Sequence, residues 1–329
     1  MGFRSLRFDQ IVTFILVLCS LVLLFKPKTV STVSEPPQSI SLVKAQDVPV
    51  VVSEIDIDDN LSASQSTGIL PTTAVPMMAS VSAQSVYVID MSSHSVLLAK
   101  NPTTQVHPAS TTKLMTALVA IEMYDLSQVI PFTATFPSEG TVIGFEVGEQ
   151  LRVKDLLAAL LISSANDAAV ALADNYPLGY YGFVAAMNQK AESLHLDATH
   201  FSNPAGLDAA EQQSSARDLA VLAEAVLKEP LLAEYVATAK TTITDTSGSK
   251  SHLLINTNQL LTALPGVKGL KTGTTPLAGQ VLVTLYENDG RSYLIVVLGS
   301  QDRYLDTQVI ISWLRSHYTW LDVNSGTLN

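Results

Sequence analysis

Cysteine is nearly missing from this chain: of 329 residues only Cys19 is one, and it lies in an apolar N-terminal run. The rest of the chain can therefore hold neither a disulfide nor a cysteine metal site. Positive charge is also short, with 19 Lys and Arg against 30 Asp and Glu and a formal charge of -11. A nucleic-acid partner would favour a basic face, so this balance argues against one. Residues 1–80 carry five Lys/Arg and seven Asp/Glu, leaving 14 and 23 for the remainder, so the acidity belongs mainly to the later part. His94, His107, His195, His200, His252 and His317 show no metal-ligand spacing, and Glu139, Glu146 and Glu149 form no ligand pattern with them. No metal and no cofactor is expected, and no internal repeat is visible. What the chain does have is a 47% apolar fraction, enough for a sizeable core in one large domain or two ordinary ones.

Four regions follow from texture. Residues 1–26 carry Arg4 and Arg7, then an apolar run from Ile11 to Phe25 that Lys26-Pro27-Lys28 closes. The run is at the upper end of a signal-peptide core and slightly short of the ~20 residues of a comfortable span. No small-x-small cleavage site follows directly, and Leu18 precedes Cys19 where a lipoprotein site needs a small residue. An uncleaved membrane anchor is the expectation, a cleaved signal the alternative. Residues 27–80 are rich in Ser, Thr, Val and Pro with no sustained period, which reads as a mobile tether with a reach on the order of 40 Å. Residues 81–320 read as the folded domain and 321–329 as a tail.

Within the folded part, 85–90 and 95–100 alternate as two strands around the polar turn Met91-Ser92-Ser93-His94. Helices are expected from Ser110 to about Tyr124, over 153–162, over 168–174, over 180–194 and over 215–228, the last capped by Ser214 or Ser215. The polar pentad Ser163-Ser164-Ala165-Asn166-Asp167 interrupts an apolar helix, a place where polar side chains can face a buried site. Strands at 280–286 and 292–299 flank the hairpin signal Asn288-Asp289-Gly290, and a helix closes the domain from about Leu305 to Tyr318. Strands at both ends with helices between predict an α+β fold, one antiparallel sheet covered by helices.

Chemistry concentrates first at Pro108-Ala109-Ser110-Thr111-Thr112-Lys113. A lysine three positions after a serine at a helix start shares its face, placing an amine within reach of a hydroxyl. An activated serine needs such a base when no histidine serves. The same pattern is also that of an ordinary N-cap serine followed by a solvated lysine. Ser164 could likewise be a helix-break cap, Asn166 an N-cap, and Arg303 a surface arginine.

Taken together with Ser164-Ala165-Asn166 and Lys271-Thr272-Gly273, the Ser110-Thr111-Thr112-Lys113 stretch resembles the motif set of penicillin-recognising serine enzymes. The similarity is strongest to the low-molecular-mass D-alanyl-D-alanine carboxypeptidases and runs from about Ser82 to Tyr318. It includes His200 to Leu207, Ser214 to Asp218 and the stretch from Arg303 to Trp313. The resemblance implies a five-stranded antiparallel sheet flanked by helices with a helical subdomain, the serine β-lactamase and DD-peptidase fold. It implies that Ser110 attacks, that Lys113 acts as base with a depressed pKa, that Ser164 relays the proton and that Asn166 bonds the substrate backbone. On the opposite wall, Lys271, Thr272, Gly273 and Thr274 would lie on an edge strand, with Ser110 and Thr274 N–H groups forming an oxyanion hole. Arg303 would pair with the substrate's terminal carboxylate.

The implied partners are peptidoglycan stem peptides ending in D-Ala-D-Ala, β-lactams as covalent inhibitors, and the membrane through the N-terminal segment. Four positions depart from the family pattern. Thr274 replaces a frequent aromatic or His, Pro276-Leu277 a commonly acidic and small pair, and Ala205 a usual His. A DD-endopeptidase, a β-lactamase and a non-catalytic cell-wall-binding module are the competing readings on one fold. The Ser-Ala-Asn middle motif, with no obvious deacylating Glu motif after it, speaks against the lactamase.

Overall fold

A computed structural model describes residues 69–71, 81–133 and 140–320. The expected anchor at 1–26, the tail at 321–329 and all of the tether except 69–71 lie outside the described residues; Ile69–Pro71, expected within the mobile tether, instead pair antiparallel with Tyr318–Trp320, so strand pairing begins before the expected domain start at 81. No helix among those described is long and apolar enough to cross a membrane.

In chain order the elements are β1 (Ile69–Pro71), β2 (Ser85–Asp90), β3 (Val96–Lys100), a 3-10 turn (Ala109–Thr112), α1 (Lys113–Met123), β4 (Val129–Pro131), β5 (Gln150–Arg152), α2 (Val153–Ile162), α3 (Asn166–Asp174), α4 (Gly179–Ser193), α5 (Ala216–Leu227), α6 (Pro230–Ala237), β6 (Lys240–Thr244), β7 (Ser251–Ile255), α7 (Leu260–Ala263), β8 (Val267–Thr275), β9 (Gly279–Asn288), β10 (Arg291–Ser300), α8 (Arg303–His317) and β11 (Tyr318–Trp320). The main sheet is antiparallel in the order β3-β2-β10-β9-β8, which leaves β8 on an edge. The fold is α+β with five antiparallel strands, as the resemblance implied.

Alternation along β10 explains the layers, because successive strand residues face opposite sides of a sheet. Leu294, Val296 and Leu298 join the core shared with α1, α2 and α5, whereas Tyr293, Ile295 and Val297 pack with Ile310, Ile311 and Leu314 of α8. The sheet is thus covered on both faces, and a strand buried on both faces reads as a continuous apolar run. The β9–β10 hairpin turns on Asp289 and Gly290, both at positive φ (49° and 75°), the geometry that suits the right-handed twist of paired strands.

Helix ends differ from the sequence pattern where capping decides them. The Ser215 side chain accepts from Asp218 N, so Ser215 rather than Ser214 is the cap of α5. Asp302 accepts from the N–H groups of Tyr304 and Leu305 and starts α8 two residues before the expected point. The region 229–263 contains α6, α7 and the β6–β7 hairpin, none of which the periodicity indicates. Each hairpin strand buries one side chain, Ile243 or Leu254, while Leu253 and Ile255 stand exposed. That pattern is too weak to read as alternation.

Candidate active site

Ser110 lies in the 3-10 turn rather than in the α-helix predicted for it, and α1 begins only at Lys113. With three residues per turn, a 3-10 segment eclipses positions i and i+3, so it aligns Ser110 with Lys113 more directly than an α-helix does. Ala109 enters the turn with φ of 48°, a left-handed conformation that costs a non-glycine residue energy. Lys113 Nζ stands 2.9 Å from Ser110 Oγ and donates to the Ala205 carbonyl at 2.5 Å. The whole lysine is buried. Loss of hydration holds its pKa well below the usual lysine value; the nearby Lys271 charge adds to this and Asp167 opposes it. A solvated lysine behind an N-cap serine is not what the fold contains.

The second wall comes from the break between α2 and α3. Ser164 sits at φ of 60°, and Asn166, the first residue of α3, receives the strand-like entry of Ala165 as its cap. The helix therefore starts two residues earlier than predicted. Asp167 fixes the segment above this break, accepting from the N–H groups of Ile143, Gly144 and Phe145. Gly140 packs on the Asn166 amide so closely that a Cβ there would be 2.6 Å from Asn166 Nδ2.

Edge strand β8 forms the third side. Gly273 faces the Ser110 turn: a Cβ on it would be 2.7 Å from Ser110 N and 2.8 Å from Ala109 Cβ. Lys271 is buried; its pKa falls to about 7, mainly through burial and secondarily through the Arg303 charge. Thr272 Oγ1 meets Thr257 Oγ1 at 2.6 Å. Arg303 Nη1 donates to Gly273 O at 2.7 Å and to Thr274 Oγ1 at 2.6 Å, while its Nε is buried without a hydrogen-bond partner.

One cleft is lined by Ser110, Ser164, Asn166, Thr272, Gly273, Thr274 and Arg303, seven of the nine residues singled out from sequence. The other two, Lys113 and Lys271, are buried amines. A hydroxyl beside a dry amine, facing an edge strand with an α8 arginine bonded to its end, suits nucleophilic attack on an extended peptide with an anionic end. Among the described residues no group of three His, Cys, Asp or Glu side chains could hold a metal.

Residues 71–302 match the D-alanyl-D-alanine carboxypeptidase family of serine peptidases, S11. The chain belongs to this family. It is similar to the D-alanyl-D-alanine carboxypeptidase DacF of Bacillus subtilis, with 34% identity over 66% of this chain and 57% of DacF, so it spans little more than half of that relative. A D-alanyl-D-alanine endopeptidase of Pseudomonas aeruginosa is 33% identical over 75% of this chain and 81% of its own length. Among solved structures, the Streptomyces K15 DD-transpeptidase superposes with a TM-score of 0.66 and 28% identity, covering 71% of this chain and 97% of that one. A putative penicillin-binding protein homologue from Mycobacterium tuberculosis gives 0.68 and 29%, covering 78% and 98%.

Asn203 folds the 203–207 loop on itself, its Oδ1 accepting from the N–H groups of Ala205, Gly206 and Leu207. Gly206, at φ of 82°, lies so close to Ala109 that a Cβ would be 1.9 Å from its carbonyl oxygen. Ala205, one of the departures from the family pattern, reaches Lys113 through its backbone carbonyl, so the contact uses no side-chain atom of residue 205. Asp167 and Asn203 lie inside stretches already singled out, the 163–167 pentad and the 200–207 stretch, but their bracing roles show only in the fold. Gln212 lies in neither, and its signal in the sequence was at most an amide near a motif.

Proposed function

We propose that this chain removes the terminal D-Ala from peptidoglycan stem peptides through an acyl-enzyme on Ser110 Oγ. The observation that carries the reading is the Ser110 Oγ to Lys113 Nζ contact of 2.9 Å at a lysine that is wholly buried. An amine with a depressed pKa is neutral often enough to take the serine proton as the Oγ–carbonyl bond forms. The Ser110 and Thr274 N–H groups would hold the oxyanion, a fixed backbone arrangement that needs little reorganisation. As the tetrahedral intermediate collapses, the C–N bond breaks and the departing D-Ala amine takes the proton from Lys113 by way of Ser164. Water then hydrolyses the ester and Lys113 serves again as base. Asn166 and the β8 edge would hold the peptide backbone, and Arg303 with Thr272 the terminal carboxylate. Lys271 keeps a tunable positive charge beside that carboxylate.

β-Lactams would acylate the same serine and inhibit the protein covalently. The apolar segment at 1–26 would tether the domain outside the cytoplasmic membrane, with the stretch from 27 to the start of β1 as spacer, and the activity would bear on cell shape. Neither a cofactor nor nucleic acid takes part in this reading. The likeness to the Pseudomonas endopeptidase favours one second reading, cleavage of D-Ala-containing cross-links. Mass spectrometry of products from a stem pentapeptide and from a cross-linked dimer tests both. D-Ala release that Ser110→Ala abolishes is the expected result. A folded, penicillin-labelled protein that releases no D-Ala would overturn the carboxypeptidase reading, and cleaved dimers would put the endopeptidase in its place.

A further inference from the structure

We propose that Gln212 is a positioning residue for acylation: it holds the 202–207 loop so that the Ala205 carbonyl takes one N–H of Lys113 and leaves the nitrogen lone pair aimed at Ser110. The proposal rests on the function proposed above.

Gln212 is 1% exposed and uses both ends of its amide. Nε2 donates to Thr112 Oγ1 at 2.8 Å, and Oε1 accepts from Ser202 N at 2.7 Å and Asn203 N at 3.2 Å. One side chain therefore ties the turn that carries Ser110 to the start of the loop. A second tie comes from Thr116, whose Oγ1 donates to Pro204 O at 2.6 Å. Ala205 follows directly after these two ties, with its carbonyl against Lys113 Nζ.

A neutral amine has two N–H donors and one lone pair, and rotation about Cε–Nζ offers three staggered positions. Engaging one N–H at Ala205 selects among them, so that the lone pair can face the Ser110 hydroxyl. Once the proton has moved, the same carbonyl accepts from an ammonium, and hydrogen bonds to charged donors are about twice as strong as neutral ones. In a site that excludes water, this is compensation the new charge would otherwise lack. The other charged groups acting on Lys113 are Lys271 from β8 and Asp167 from α3, with Arg303 acting on Lys271. Gln212 bonds none of them. Its removal would reach Lys113 through the Ala205 carbonyl and through Thr112 of the serine turn, and through no charged group.

The sign follows. A carbonyl that favours the ammonium raises the pKa of Lys113, so displacing it lowers that pKa. The acid limb of acylation then moves to lower pH, while the plateau drops because the amine is a weaker and less well-aimed base. A merely structural defect lowers the plateau and leaves the limb in place.

The test follows acylation of the full chain by a fluorescent penicillin from about pH 5 to 9, with the noncovalent and covalent steps resolved. Gln212→Ala is expected to lower the covalent rate by about tenfold, the equivalent of one aligned hydrogen bond, with initial affinity unchanged and the acid limb displaced downward. Thr116→Val should shift the limb the same way by less, and it decides the matter if Gln212→Ala does not fold. NMR titration of 13Cε-labelled lysine, assigned by Lys113→Arg, reads the same displacement without turnover. A limb and an NMR titration that stay at the wild-type position in both variants would overturn the proposal. A wild-type protein that neither labels nor releases D-Ala refutes the proposed function instead, and the NMR titration still judges the Gln212 tie.

Discussion

Gly273→Ala is the substitution whose consequence can be worked most fully from the structure. The added methyl would stand 2.7 Å from Ser110 N, 2.8 Å from Ala109 Cβ and 2.8 Å from Val281 Cγ2. Non-bonded carbon atoms settle at ~3.5–4.0 Å, so each contact is roughly an ångström too short. None of the neighbours can swing aside, since two belong to the backbone turn that holds the serine and Val281 is wholly buried. The strand must therefore move away from the Ser110 turn. A shift approaching 1 Å in a reacting geometry costs on the order of 10²-fold in rate. Overpacking adds about 1–3 kcal/mol of instability. At about 2–4 °C per kcal/mol for a domain of this size, the melting temperature should fall by several degrees. Penicillin acylation kinetics beside a thermal melt separate the two effects, because at 20 °C below the midpoint only the geometric loss reaches the rate. Acylation within threefold of wild type would refute the claim that β8 sits against the serine turn without room for a Cβ.

Three further outcomes follow from the same cleft. Ser164→Gly removes a side chain from a left-handed backbone (φ 60°), so it should stabilise the fold by about 1 kcal/mol while acylation collapses; a melt that does not rise would count against the strain. Lys271, at about 7 in the fold against a usual 10.5, binds fewer protons folded than unfolded over that window, so its contribution to stability rises with pH from about 7 to 10.5. Denaturant titrations should show that slope flattened in Lys271→Met, and an unchanged slope would place the buried-amine argument in error. Arg303→Gln removes the charge that helps depress Lys271, so the Lys271 titration should move upward. It should also raise KM for a D-Ala-D-Ala peptide about tenfold or more, as loss of a charge-assisted bond does; a KM within twofold would remove Arg303 from the carboxylate site.

What the sequence made legible was local chemistry. Ser110 and Lys113 are three residues apart, and Lys271 to Gly273 form one run on one strand, so their relation needs no tertiary information. Periodicity also found α2, α5 and the β9–β10 hairpin, whose apolar faces are dense. It missed the β6–β7 hairpin because that pair buries so little, and it placed the start of α3 too late because Asn166 and Asp167 are polar inside the helix's first turn. The supporting residues were out of reach for a different reason. Gln212 meets Thr112 across 100 positions and Ala205 meets Lys113 across 92, and polar residues in a loop look alike until the chain folds.

Lys113 shows where the division between the two kinds of information falls. Spacing can bring an amine to a hydroxyl, but a lysine on a surface helix would be charged at neutral pH and useless as a base. What changes its chemistry is burial, then a second amine contributed by a strand more than 150 residues later, with an opposing carboxylate from α3. Burial favours the neutral form, and the Ala205 carbonyl makes the charged form tolerable for the moment it exists. The reaction needs both, since an amine that cannot lose its proton cannot accept the serine's, and one that cannot hold it cannot pass it to the leaving group. Motif spacing supplies the reach; the loop and the strand supply the proton affinity.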